Sequence, residues 1–136
     1  MLPPSVSDFS ADMLRSMIQL GHPDWDDDGV EATMANLIVH PDGRVERPLS
    51  IDKHMQIVRH LFDQNMGELY KKITEPVLIC ASGPKDDPEG TKALVLENAR
   101  QIKNVTIEWF AATDHDIHIH KPQLLSETIL AWLQGI

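Results

Sequence analysis

Residues 113–120 read T-D-H-D-I-H-I-H, three imidazoles and two carboxylates within eight positions. Imidazole can move a proton near neutral pH, ligate a metal, or bond a turn. His118 and His120 form H-x-H, and in an extended segment both side chains point to one face. Such a pair can bind zinc where a third ligand joins it. None stands at a recognisable spacing, so packing, or capping of the helix that follows, is the plainer reading. Asp114 and Asp116 suit turn formers that bond neighbouring backbone N–H groups. A second acidic pair, Asp86-Asp87, lies in S-G-P-K-D-D-P-E-G over 82–90. A carboxylate that orients an imidazole makes a general base for a hydroxyl nucleophile. Asp86 or Asp87 with His115 is therefore a candidate acid–base pair. A solvated turn beside Pro88 is the alternative for the two aspartates.

These groups need elements to position them. Val77-Leu78-Ile79-Cys80-Ala81 is a short, continuous apolar run after Pro76, as in a strand buried on both faces of a parallel sheet. A helix is expected from about Thr91 to Ile102. Val105 to Phe110 alternates, with Val105, Ile107 and Trp109 on one face, as in a strand nearer a sheet edge. Pro122 opens a last helix with Leu125, Ile129, Leu130 and Leu133 inward. Strand, crossover helix and strand make a right-handed βαβ unit. Ligands bind outside the carboxyl ends of strands in such sheets, and both candidate loops leave such ends. Two strands are too few for a sheet whose first strand is buried on both faces.

The first half is helical in pattern. Phe9, Met13, Met17 and Leu20 recur at helical spacing over Asp8–Leu20. A second helix is expected over Trp25–Val39, entered through Asp26-Asp27-Asp28, since negative charge suits a helix N-terminus. Pro41-Asp42-Gly43 is a turn. A third helix starts at Ser50 as N-cap, breaks near Asn65 and resumes to Lys72. Trp25, Met13 and Met17 pack between helices or line a substrate pocket. His54 and His60 are read as surface or interface residues.

The chain has 136 residues and a net charge of −9, with 42% hydrophobic and 24% charged residues. That describes one soluble, globular domain's worth of sequence. An acidic chain without a basic cluster is a poor binder of nucleic acid. No apolar run approaches a membrane span, and Met1-Leu2-Pro3-Pro4 lacks signal-peptide character. A cytoplasmic protein without membrane or nucleic-acid partners is expected. Cys80 is the one cysteine; it reads as a small buried hydrophobe rather than a nucleophile.

P-V-L-I-C-A-S-G-P-K-D-D, a helix, V-T-I-E-W-F-A-A-T-D-H-D-I-H-I-H-K-P and a final amphipathic helix together resemble the C-terminal part of an α/β-hydrolase. Members show P-V-L-L and G-x-x-D on the penultimate strand, then a G-H or D-H pair and a proline. D-G-R-V-E-R-P-L-S-I-D-K-H-M-Q-I-V-R-H-L is similar to their cap segments. The resemblance covers nearly the whole chain. It implies an α/β class and a partial fold: a helical cap over 1–73, then a strand-helix-strand-helix portion of the core over 74–136. His115 would match the catalytic histidine and Asp87 or Asp86 the acid, with spacing at P-K-D-D off by about a residue.

No G-x-S-x-G, the family's nucleophile turn, occurs in these 136 residues. Ser82 follows a strand but has Pro84 two residues on, unlike a nucleophile turn. The implied function is the cap, acid and base portion of a serine-type hydrolase of carboxylic esters or related acyl compounds. Its substrate would be a small ester-like molecule, with no cofactor and no metal. An exposed apolar strand edge invites pairing, so a homo-oligomer or a missing N-terminal half is expected. A non-catalytic oligomerising or binding module, and more remotely a metal protein using the His-rich loop, are the alternatives.

Overall fold

The computed structural model describes residues 6–83 and 90–136. The chain forms two compact units, Met1–Asp63 and Gln64–Ile136.

In the first unit, a short 3-10 turn, Val6–Asp8, precedes α1, Ala11–Gly21. Ser10 caps α1: its hydroxyl accepts the Met13 N–H at 3.3 Å, satisfying one donor that the helix start leaves orphaned. Ala11 is buried in a small core with Met34 and Val45, and Leu14 and Ile18 pack against it. The inward stripe is therefore Ala11, Leu14 and Ile18, not the expected Met13, Met17 and Leu20, which stand exposed. Both stripes satisfy helical spacing, and tertiary packing selected the one with the smaller residue at its head, where the chain crosses closely. Ala11 N–H donates to Gly43 O at 3.2 Å at this crossing.

Helix α2, Asp27–Met34, starts as its acidic run suggested, with the Asp26 carboxylate accepting the Gly29 N–H at 2.9 Å. It ends at Met34 rather than at the expected Val39. Ile38–Val39 instead forms β1, antiparallel to β2, Val45–Glu46. The reason is local: two β-branched residues prefer extended backbone, and Pro41-Asp42-Gly43 folds the chain back. Gly43 takes φ +80°, which glycine adopts without steric cost. Val45, fully buried, is the centre of the small core. Arg15 on α1 reaches Glu31 on α2, joining the two helices. Helix α3, Ile51–Asp63, follows Ser50 and buries none of its side chains.

In the second unit, α4, Met66–Tyr70, is capped by Asn65, whose side chain accepts the Glu68 N–H at 3.4 Å. Then come β3, Val77–Gly83; α5, Thr91–Ala99; β4, Val105–Ala111; a helical turn α6, Ile117–His120; and α7, Pro122–Leu133. β3 and β4 pair in parallel from Val77↔Val105 to Gly83↔Ala111. Among the described residues this sheet has two strands. Residues 77–80 of β3 are consequently half-buried, Cys80 included, where burial on both faces was expected. β4 alternates as the sequence suggested as far as Trp109, with Val105, Ile107 and Trp109 half-buried and Thr106 and Glu108 exposed, but Phe110, on the face of Thr106 and Glu108, is buried. The α7 face nearest the protein is Leu125, Thr128 and Trp132, and the Trp132 Nε1–H donates to Thr106 Oγ1 at 3.3 Å. Ile129, Leu130 and Leu133, expected inward, are exposed. No helix among the described residues is long and apolar enough to cross a membrane.

Candidate functional site

The site is built where β3 and β4 end together. Ala112, just past β4, adopts φ 53°, an unusual conformation for a residue with a Cβ. Its N–H donates to Gly83 O at 2.9 Å, so the last rung of the sheet becomes the first bond of the loop. Thr113 is buried and its hydroxyl donates to Phe110 O at 2.7 Å. The Asp114 N–H donates to His120 Nδ1 at 3.2 Å, and Ile117, also buried, anchors the α6 turn. The Ile117 N–H donates to His115 O at 3.0 Å.

These tethers leave His115 at the tip. Its side chain is 98% exposed, and its Nδ1 lies 3.2 Å from Asp116 Oδ1. That contact places the Nε2 edge toward solvent, the edge a general base would use when its Nδ1 faces a carboxylate. Asp116 was expected to bond nearby backbone N–H groups. Standing at the N-cap of α6, it makes no such bond and meets the imidazole instead. Asp86 and Asp87 lie outside the described residues. Their segment follows Gly83, whose partner in the sheet is Ala111.

His118 and His120 sit in a helical turn, so the extended geometry that would align them is absent. His118 is exposed, whereas the His120 side chain is 5% exposed. His120 Nδ1 accepts a backbone N–H and also lies 3.8 Å from Asp114 Oδ2. The shorter, backbone contact defines its role: the ring ties the loop by accepting an N–H at Nδ1. The sequence offered no sign of this loop tie beyond the expectation that the pair packs or caps the helix that follows. Among the described residues no group of three His, Cys, Asp or Glu side chains could hold a metal ion.

The other candidates fall elsewhere. Ser82 lies inside β3, paired with Phe110, rather than on a strand-to-helix turn. Cys80 pairs with Glu108 in the sheet register, and burial pushes its thiol pKa up, with the Glu108 carboxylate adding to the effect. Trp25 is buried and stacks on His22 with ring centroids 3.9 Å apart, while Met13 and Met17 are about half exposed. Trp25 is therefore packed against its own unit. In the first unit a cleft of about 400 Å³ is lined by other residues, among them Leu37, Leu49, Ile51 and Met55. Sequence patterning missed it because its wall combines the start of α3 with the irregular stretch after β2.

No protein-family model and no curated protein matches the chain. Among solved structures it is similar to E-2-(acetamidomethylene)succinate hydrolase, with a TM-score of 0.71 and 17% sequence identity over 90% of this chain. The match takes in 45% of that protein, so the chain spans less than half of its length. At this identity the likeness is one of fold, and the fold is a partial α/β-hydrolase-like one.

Proposed function

We propose that the chain is the cap and base portion of a serine-type hydrolase of carboxylic esters or related acyl compounds. One observation carries this reading: His115 stands exposed on a tethered loop at the carboxyl end of a parallel strand, in an α/β-hydrolase-like fold. The structurally similar protein is itself named a hydrolase. In this reading His115 Nε2 takes the proton from a serine hydroxyl as that oxygen attacks the acyl carbon. It then gives the proton to the leaving group. Asp87 or Asp86 would orient the ring and stabilise its charged form, taking the place at Nδ1 that Asp116 holds in this structure. The serine comes from a further segment or chain that supplies the nucleophile turn and the neighbouring strands. The protein would work in the cytoplasm on a small ester-like substrate.

The test joins this chain to the nucleophile-bearing portion of the structurally similar hydrolase and measures ester hydrolysis. Turnover is expected, and His115→Ala should lower it about a thousandfold or more. Turnover indifferent to His115 would sink the assignment, as would a fused protein that folds and has no turnover. The 136-residue chain by itself should form no adduct with a fluorophosphonate probe when read by intact mass. An adduct would mean a nucleophile within this chain.

A second reading, a non-catalytic module that assembles through its sheet edge or apolar surface, draws on the two-stranded sheet and on exposed Phe62, Leu94 and Leu130. Light scattering over a wide concentration range decides it: a mass that stays at one chain would dismiss assembly.

A further inference from the structure

The cleft in the first unit combines three features that point to one ligand chemistry. Its volume, about 400 Å³, is in the range of small-molecule sites. Its wall is largely hydrocarbon, with Leu37, Leu49, Ile51 and Met55 lining it. Leu49, Ile51 and Met55 keep more than a third of their surface exposed. They therefore have surface to lose to an apolar ligand, at roughly 25 cal/mol per Å². Arg47, His54 and Asn36 also line the cleft.

Arg47 gives the ligand its charge. In a chain of net charge −9, the guanidiniums of Arg15 and Arg44 are matched by Glu31 and Asp42. Glu46, next to Arg47 in sequence, contacts His40 Nε2 at 3.3 Å instead. Among the described residues Arg47 has no carboxylate partner. A planar guanidinium beside an apolar wall matches a carboxylate in two parallel N–H···O bonds. A phosphate ester would bring more charge than the one permanent cation answers. A neutral amphiphile would leave the guanidinium unanswered.

We propose that this cleft binds a small apolar carboxylate, with the hydrocarbon body against Leu49, Ile51 and Met55 and the carboxylate on Arg47. The site stands on the first unit alone and does not depend on the hydrolytic reading, so the two fail separately. The probe is octanoate, with octanamide as its neutral counterpart, titrated into the whole chain while the methyl resonance of Met55 is followed by NMR. Octanoate should move the Met55 methyl saturably and bind at least about fivefold more tightly than octanamide. Arg47→Met keeps an apolar stem, removes the charge and should abolish that difference. Equal binding of the two probes, or an unmoved Met55 methyl, would overturn the proposal. So would an Arg47→Met chain that holds octanoate as tightly as before.

Discussion

The Asp114 N–H donates to His120 Nδ1 across 3.2 Å, tying the loop after β4 to the helical turn that follows it. Because the His120 side chain is 5% exposed, losing it removes both a buried acceptor and packed ring atoms. His120→Ala should cost about 1–3 kcal/mol of stability, by chemical denaturation. The Asp114 amide should also exchange with solvent faster. His120→Asn, whose side-chain oxygen can stand near the position of Nδ1, should restore much of the amide's protection. If alanine leaves that amide as protected as before, the tie is not what orders the loop.

His115 is the opposite case. With its side chain 98% exposed and its contact to Asp116 at the surface, it has little to contribute to folding. His115→Ala should alter stability by no more than about 0.5 kcal/mol, measured by urea titration. A larger loss would mean that the residue serves packing, and would weaken its claim to a chemical role.

Arg15 and Glu31 set an acid dependence on the first unit. The Arg15 hydrogen bond holds the Glu31 carboxyl below the usual glutamate range. A depressed folded pKa gives stabilisation that is fully present above the ordinary glutamate value of about 4.3. It is lost as pH falls through the folded value. Glu31→Gln should therefore lower stability slightly at neutral pH and flatten its fall below pH ~4. Both groups face solvent, so the effect should shrink in high salt. Denaturation midpoints recorded against pH in low and high salt check each part.

Burial pushes the Cys80 thiol up and so withholds the thiolate that alkylation requires. Iodoacetamide at pH 8 should modify the native chain at least about tenfold more slowly than the urea-unfolded chain. Equal rates would show that β3 opens readily.

Parallel strands flanking a helix were legible because their signals are local: a continuous apolar run, an alternating run and turn residues between them. That this sheet has two strands among the described residues was legible for the same reason. What the sequence concealed depended on choosing between equivalent patterns. Met13-Met17-Leu20 and Ala11-Leu14-Ile18 both recur at helical spacing, and only the crossing of the chain at Gly43 decides between them. Ile38-Val39 extended the apolar pattern of the preceding helix and hid a strand. His118 and His120 look paired when the segment is read as extended, but a helical turn separates them. His115 was singled out as a candidate by the motif around it. The tethers that hold its loop, Thr113, Ile117 and His120, carry no motif and emerge only from burial and bonding.

Helix α3 buries none of its side chains, so little tertiary packing resists its opening. Local unfolding of such a segment costs far less than global unfolding. Its amides should be among the first to exchange, and a protease added at low dose should cut there early. Ile51, His54 and Met55 on this helix also form part of the cleft wall. A ligand that needs the wall in place binds only the closed helix, and so adds to its closing free energy by mass action. Occupancy of the cleft and order of α3 are then one equilibrium, and resistance to proteolysis becomes a readout of the ligand.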